Sequence, residues 1–218
     1  EVPSGHEELL EWAKKNPGKF TYPALPDFTG SVFVRNIICD MVGYEQFMDM
    51  EADEETVRKA IEPALEYLKE LKPYLWKEGK TYPAESALLD NMYSDGEVLM
   101  TMTYNPNSPS GKIVTGEYPE STRTFVFDKG TIGNTHFLGI PFNSQNKAGA
   151  MAVIDYILNV EVQASKYVPE NWGDLPVLDN SKLSTEEKDI LDSVDLGIAT
   201  IPQDILLKRR IPEMSADL

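Results

Sequence analysis

Thr29, Gly30 and Ser31 place two hydroxyls and a residue without a Cβ at the head of an apolar run, inside the stretch Tyr22-Pro23-Ala24-Leu25-Pro26-Asp27-Phe28-Thr29-Gly30-Ser31-Val32-Phe33. The pattern predicts the end of a strand, a proline-stiffened turn and the capped start of a buried helix over 31–41. Proline fixes φ and biases the residue before it toward extended geometry. Thr29 suits an N-cap, accepting from the backbone N–H two or three residues on. A helix start carries unpaired N–H groups and the positive end of the dipole, so it suits a polar or anionic group. Gly30 allows such a group close to the backbone. The same residues suit an ordinary capped helix equally well.

Two further groups share this character. Tyr104-Asn105-Pro106-Asn107 follows a predicted strand over 97–104 and precedes a helix start, and Thr131-Ile132-Gly133-Asn134-Thr135 spans a bend between predicted strands at 123–127 and 134–140. Polar element ends at one rim of an α/β sheet are common ligand sites. Each group also fits a routine turn.

Catalytic chemistry has little to work with. His6 and His136 are the two histidines. His6 opens a polar helix and is expected to be exposed, while His136 falls in a strand and is expected to be hydrogen-bonded structurally. The chain has no GxSxG elbow, P-loop, GxGxxG or HExxH pattern. Its carboxylates form solvated helix faces such as 51–55. A metal centre lacks the density of ligands it needs, so neither metal nor cofactor is expected.

The balance of 36 acidic and 20 basic residues, a net charge of −16, disfavours nucleic acid and anionic membranes as partners. The charge keeps a protein in solution and favours cationic ligands. Cys39 is the single cysteine, set in the apolar run Ile37-Ile38-Cys39, so it is expected to be a buried thiol. No apolar run reaches the length of a membrane span. The chain opens on Glu1, which is read as the start of a mature product or of a piece of something longer.

The surrounding elements follow from periodicity. A helix over 4–16 shares Leu9, Trp12 and Ala13 on one face and ends at Asn16-Pro17-Gly18. A short strand covers 19–22. Val57, Ile61, Leu65, Leu68 and Leu71 line an amphipathic helix over 51–76, which Pro63 should kink or divide. Further helices are predicted at 84–93, 147–158, 185–194 and 203–209. Strands alternating with helices imply an α/β arrangement with covered sheet faces.

Four stretches together resemble the extracellular solute-binding proteins of ABC transporters, in the two-lobed class that carries sugars, iron and thiamine, and most of all the thiamine-type subfamily. They are KFTYPALPDFTGSVF (19–33), DGEVLMTMTYNPN (95–107), FDKGTIGNTHFLGIPF (127–142) and NKAGAMAVIDYILNVEVQ (146–163). The resemblance implies a periplasmic-binding-protein-like lobe of class II type, a mixed sheet flanked by helices, with part of the other lobe. Residues 1–18 would form a linker helix from the first lobe, 19–128 the second lobe, 129–170 a return to the first, and 171–218 terminal helices. Much of the first lobe has no counterpart, so the chain resembles the C-terminal portion of a longer receptor.

Carried over by position, Thr29, Gly30 and Ser31 match the helix start that donates to ligand. Tyr104 and Asn105 match a strand-end pair suited to stack on and hydrogen-bond a small molecule. Gly133, Asn134, Thr135 and Ser86 match more loosely. The chain lacks the adjacent tyrosines that the iron-binding branch uses as metal ligands. The implied protein is a non-catalytic monomer in the periplasm or outside the cell, held near the membrane by its transporter or a lipid anchor. It would capture a small polar solute, a thiamine-like one among the candidates, for a membrane permease. A secreted carbohydrate- or peptide-active hydrolase and a surface interaction module remain as alternatives.

Overall fold

The computed structural model describes residues 2–215; Glu1 and residues 216–218, the outer ends of the expected linker helix and terminal helices, lie outside the described residues. The chain divides into two compact units. The first takes the described residues up to Thr103, then Phe125–Asn134 and those from Pro202 on; the second takes Tyr104–Thr124 and Thr135–Ile201. The chain therefore passes between units after Thr103, Thr124, Asn134 and Ile201.

The first unit is built on three helices, α1 (His6–Lys15), α2 (Phe28–Val42) and α3 (Glu54–Leu71). Leu9, Leu10 and Ala13 of α1 pack with Phe33, Ile37 and Ile38 of α2 and with Ala64, Tyr67 and Leu71 of α3. Burying a Leu or Ile side chain fully contributes about 1.5–3 kcal/mol, and Ile37 and Leu71 are wholly enclosed. Phe20 and Tyr22 close the core through Phe33, with ring centroids 5.5 and 4.5 Å away.

Asp40 fastens α1 to α2. Its Oδ2 accepts from the His6 backbone N–H at 2.8 Å and lies 2.5 Å from His6 Nδ1. Gly5, at the N-cap, has no side chain to serve the first turn, so a carboxylate from the neighbouring helix does so. The Tyr67 hydroxyl donates to the His6 carbonyl at 2.6 Å. His6 is thus largely enclosed, not exposed as its polar helix suggested.

α3 runs unbroken through Pro63, capped by Asp53, whose carboxylate accepts from the Thr56 N–H at 2.9 Å. Of the two expected outcomes, a kink or a division, the division does not occur. Pro63 and Lys59, whose carbonyl loses its helical donor, both face solvent, so water can serve the freed group. α4 (Ser86–Ser94) follows after two short 3-10 turns, and α9 (Gln203–Lys208) brings the chain back.

Regular sheet is sparse. Among the described residues it is one parallel pair, β1 (Thr131–Ile132) with β2 (Arg210–Ile211). The expected strands at 19–22, 97–104, 123–127 and 134–140 form no ladder, and Lys19, Glu97, Leu99 and Tyr104 are bends. The Lys19 carbonyl accepts from Leu99 N–H at 2.9 Å and the Phe20 carbonyl from Trp76 N–H at 2.8 Å. Successive carbonyls serving different partners is strand behaviour, but each neighbour gives one bond before turning away.

The second unit holds α5 (Ser108–Val114), α6 (Lys147–Ile157), α7 (Val160–Tyr167) and α8 (Thr185–Asp192). Val160 and Ala164 of α7 pack on Leu191 of α8. Ser184 and Glu187 form a reciprocal capping box at the start of α8. Gln163 is buried, donating to the Ile157 carbonyl at 2.8 Å and accepting from Val177 N–H at 3.0 Å. α6 is apolar, yet none of its eleven residues is buried; Met151 is 63 % and Tyr156 67 % exposed.

Candidate ligand-binding site

Asp27, not Thr29, caps α2. Its Oδ1 accepts from the Gly30 N–H at 3.0 Å, and its main-chain carbonyl from Ser31 N–H at 2.9 Å. Thr29 is the second residue of the helix. The other carboxylate oxygen, Oδ2, accepts from the Ser86 N–H at 3.2 Å, at the start of α4. One side chain thus brings Thr29, Gly30, Ser31 and Ser86 together.

This arrangement changes what the helix start offers. Gly30 is glycine because a Cβ there would sit 2.1 Å from the Pro23 carbonyl oxygen. Backbone, not a bound molecule, fills the space. A carboxylate already complements the helix dipole, so the start of α2 presents the hydroxyls of Thr29 and Ser31 more than a vacant anion site.

In the second unit, Tyr104 and Asn105 enter the turn that starts α5. The Asn105 carbonyl accepts from Ser108 N–H at 3.2 Å, and Asn107 N–H donates to the Gly173 carbonyl at 3.1 Å. Gly173 has φ +72°, and a Cβ on it would meet Ser108 N at 2.5 Å. The turn at 168–173 is therefore pressed against the Tyr104–Asn107 turn. Gly133 belongs to the first unit, its N–H donating to the Ile211 carbonyl at 3.0 Å and its carbonyl accepting from Arg210 Nε at 3.1 Å. Asn134 is exposed, and Thr135 opens the return into the second unit. Tyr104, Asn134 and Thr135 thus stand at chain passages between units, with Gly133 one residue before one of them.

Several residues escaped sequence reasoning. Asp27 had a signal, a carboxylate three residues before a helical glycine. Asn107 is fully buried, and neither side-chain amide atom has a partner among the described residues. His136 is not in a strand; its side chain is 64 % exposed, with Nε2 4.0 Å from Asp174 Oδ2 and its ring 5.8 Å from that of Trp172. Cys39 is buried as expected, and burial pushes its thiol up to about 11. Among the described residues no group of three or more His, Cys, Asp or Glu could hold a metal ion, and no helix is long and apolar enough to cross a membrane.

The described residues form two compact units joined by repeated chain passages, with polar residues at several of them. Comparison with known families gives the class. The model of the bacterial extracellular solute-binding protein family matches residues 1–191, and the chain belongs to that family. It is a family of binding proteins, not enzymes, with a periplasmic-binding-protein-like fold, and the hydrolase alternative gives way to it. The chain is also 36 % identical over 203 residues to Protein YnjB of Escherichia coli (strain K12), covering 93 % of this chain and 51 % of that protein. The chain thus spans about half the length of this curated relative. No solved structure matches.

Proposed function

We propose that this chain is the solute-capturing part of an ABC importer's binding protein, which holds a small polar solute in a cleft between two lobes and delivers it to a membrane permease. The observation that carries the reading is the coincidence of candidate residues with chain passages: Tyr104 and the pair Asn134–Thr135 stand where the chain changes unit. Passages of this kind are hinge material, and closure about them buries a ligand.

In this reading residues 19–128 supply most of one lobe, 129–170 return to the other, 1–18 link them and 171–218 add terminal helices. The compact units divide the chain differently, grouping Phe125–Asn134 and the residues from Pro202 on with the early residues and Tyr104–Thr124 with the later ones. The stretches at 19–22 and 97–103, joined by the Leu99 N–H bond to the Lys19 carbonyl, are the proposed strands of a mixed sheet. Thr29, Ser31, Ser86, Tyr104, Asn105, Asn134 and Thr135 are the proposed ligand contacts, with Gly30 and Gly133 shaping the backbone beside them. The net charge of −16 favours a cationic solute such as thiamine. The protein acts as a monomer in the periplasm or outside the cell, near the membrane through its transporter or a lipid anchor.

The test is calorimetric titration of the full-length receptor with thiamine, beside its Tyr104→Ala variant. The variant should bind more weakly and melt at an unchanged temperature. Equal affinity in the two proteins overturns the site.

A further inference from the structure

Helical spacing divides α6 into three faces. Lys147, Met151 and Asp155 stand four residues apart and share one; Ala150, Ile154 and Ile157 share a second. Ala148, Gly149, Ala152, Val153 and Tyr156 make the third. The first carries both charges of the helix and suits water, and the second is half-buried. The third has no charge, yet every residue on it is exposed. A helix with apolar residues on all but one face belongs in an interior, and one of this length is marginal in water without packing.

Gly149 adds a second observation. Glycine inside a helix weakens it relative to alanine, so its presence there calls for a close neighbour. Yet a Cβ built on Gly149 meets nothing within 4 Å, and the same holds at Gly139. With Ala148 and Ala152, Gly149 forms a shallow strip across which another backbone can pass closely. The chain leading into the helix repeats the pattern: Phe137 is 88 % and Phe142 90 % exposed, and no residue from 136 to 159 is buried. Apolar surface concentrated in this way marks an interaction face.

Three occupants compete for it. A second copy would bring a charge of −16 against its own like. A bilayer suits it poorly, because the single lysine of the helix lies on another face and the net charge repels anionic headgroups. The third occupant has length in its favour. Protein YnjB is matched over 51 % of its sequence, so a receptor of that size keeps a comparable length of polypeptide to do the covering.

We infer that the third face of α6, from Ala148 to Tyr156, is an internal docking surface for an apolar segment of the receptor that lies outside residues 1–218. The inference rests on the receptor reading for the existence of that longer protein, and no solute takes part in it.

The experiment is hydroxyl-radical footprinting of the full-length receptor, free of solute, at two concentrations about tenfold apart. Relative to the urea-unfolded protein, Tyr156 should be strongly protected at both concentrations and Met151, on the charged face, hardly at all. Melting curves give a second readout through its sign. On a bare helix Gly149→Ala should raise the melting temperature; on a covered one it should lower it, and Ala152→Leu should lower it by about 2–4 °C or more. Free oxidation of Tyr156 overturns the inference, as does a rise in melting temperature for Gly149→Ala. Protection that disappears on dilution assigns the face to a second copy, and protection that appears only with phosphatidylglycerol vesicles assigns it to a membrane; either result overturns it as well. Because solute is absent throughout, a bare α6 and a failure to bind thiamine are read separately.

Discussion

Asp27 and Ser86, 59 residues apart, are joined by a hydrogen bond of 3.2 Å from the Ser86 N–H to Asp27 Oδ2. Because Oδ1 of the same carboxylate caps α2 at Gly30, two helix starts share one anion. The sharing sets where the hydroxyls of Thr29, Ser31 and Ser86 stand relative to one another.

Asp27→Ala should therefore remove two caps at once. A single lost cap costs about 0.5–2 kcal/mol, and the second bond adds to it. Thr29→Ala, which removes no cap, should change stability by less than about 0.5 kcal/mol. Urea midpoints of the two variants check this, and equal losses would show that Thr29 shares the capping after all.

The first unit should weaken in alkali. Burial raises the Cys39 thiol from 9.0 to about 11 and raises Tyr22 and Tyr67 above 10.0. All three are neutral when protonated, so their contribution is fully present below the unfolded values. It is lost as pH climbs through the folded ones, because only the unfolded chain releases protons easily. For Cys39 the full loss amounts to about 2–3 kcal/mol. Melting temperatures between pH 8 and 11 should fall steadily, and less steeply in Cys39→Ala. A flat profile would contradict the enclosure of these groups.

Gly173→Ala should be costly for two separable reasons. Its φ of +72° is unfavourable with a Cβ, and that Cβ would lie 2.5 Å from Ser108 N. The backbone contributes about 1–2 kcal/mol and the clash about 1–3 kcal/mol. Gly116, with φ +77° and open space around it, isolates the first contribution. Denaturant unfolding should rank Gly173→Ala well below Gly116→Ala; similar losses would mean that the two turns yield easily.

Local chemistry was legible in the sequence and distant pairing was not. The end of α1 follows from Asn16-Pro17-Gly18, and the positions of α4, α8 and α9 follow from periodicity and turn residues. Within α3 the predicted stripe holds at Ile61, Leu68 and Leu71, which pack in the core, but Leu65 is exposed, and Ala64 and Tyr67, outside the stripe, are buried. Neighbouring phases of one helix differ little in apolar content, and the partner helix chooses between them. His6 looked exposed because nothing local announces Asp40, 34 residues away. The extended segments have strand composition, but a ladder needs a second edge. For the candidate site, Tyr104 and Asn105 stood out through their turn, and Asp27 had its spacing to Gly30. Asn107 was named with the Tyr104 turn, but its burial against the turn at 168–173 gave no signal, because that second turn lies far downstream and folds onto it.

The wet apolar side chains around α6 make this polypeptide's behaviour in solution depend on ionic strength. A charge of −16 keeps copies apart at low salt, but the repulsion reaches only about 8 Å at physiological ionic strength. Once copies come closer than that, Met151, Val153 and Tyr156 supply short-range attraction with no charge on these side chains to oppose it. Dilute, low-salt buffers should therefore keep the chain dispersed, and adding sodium chloride should draw copies together through that helix.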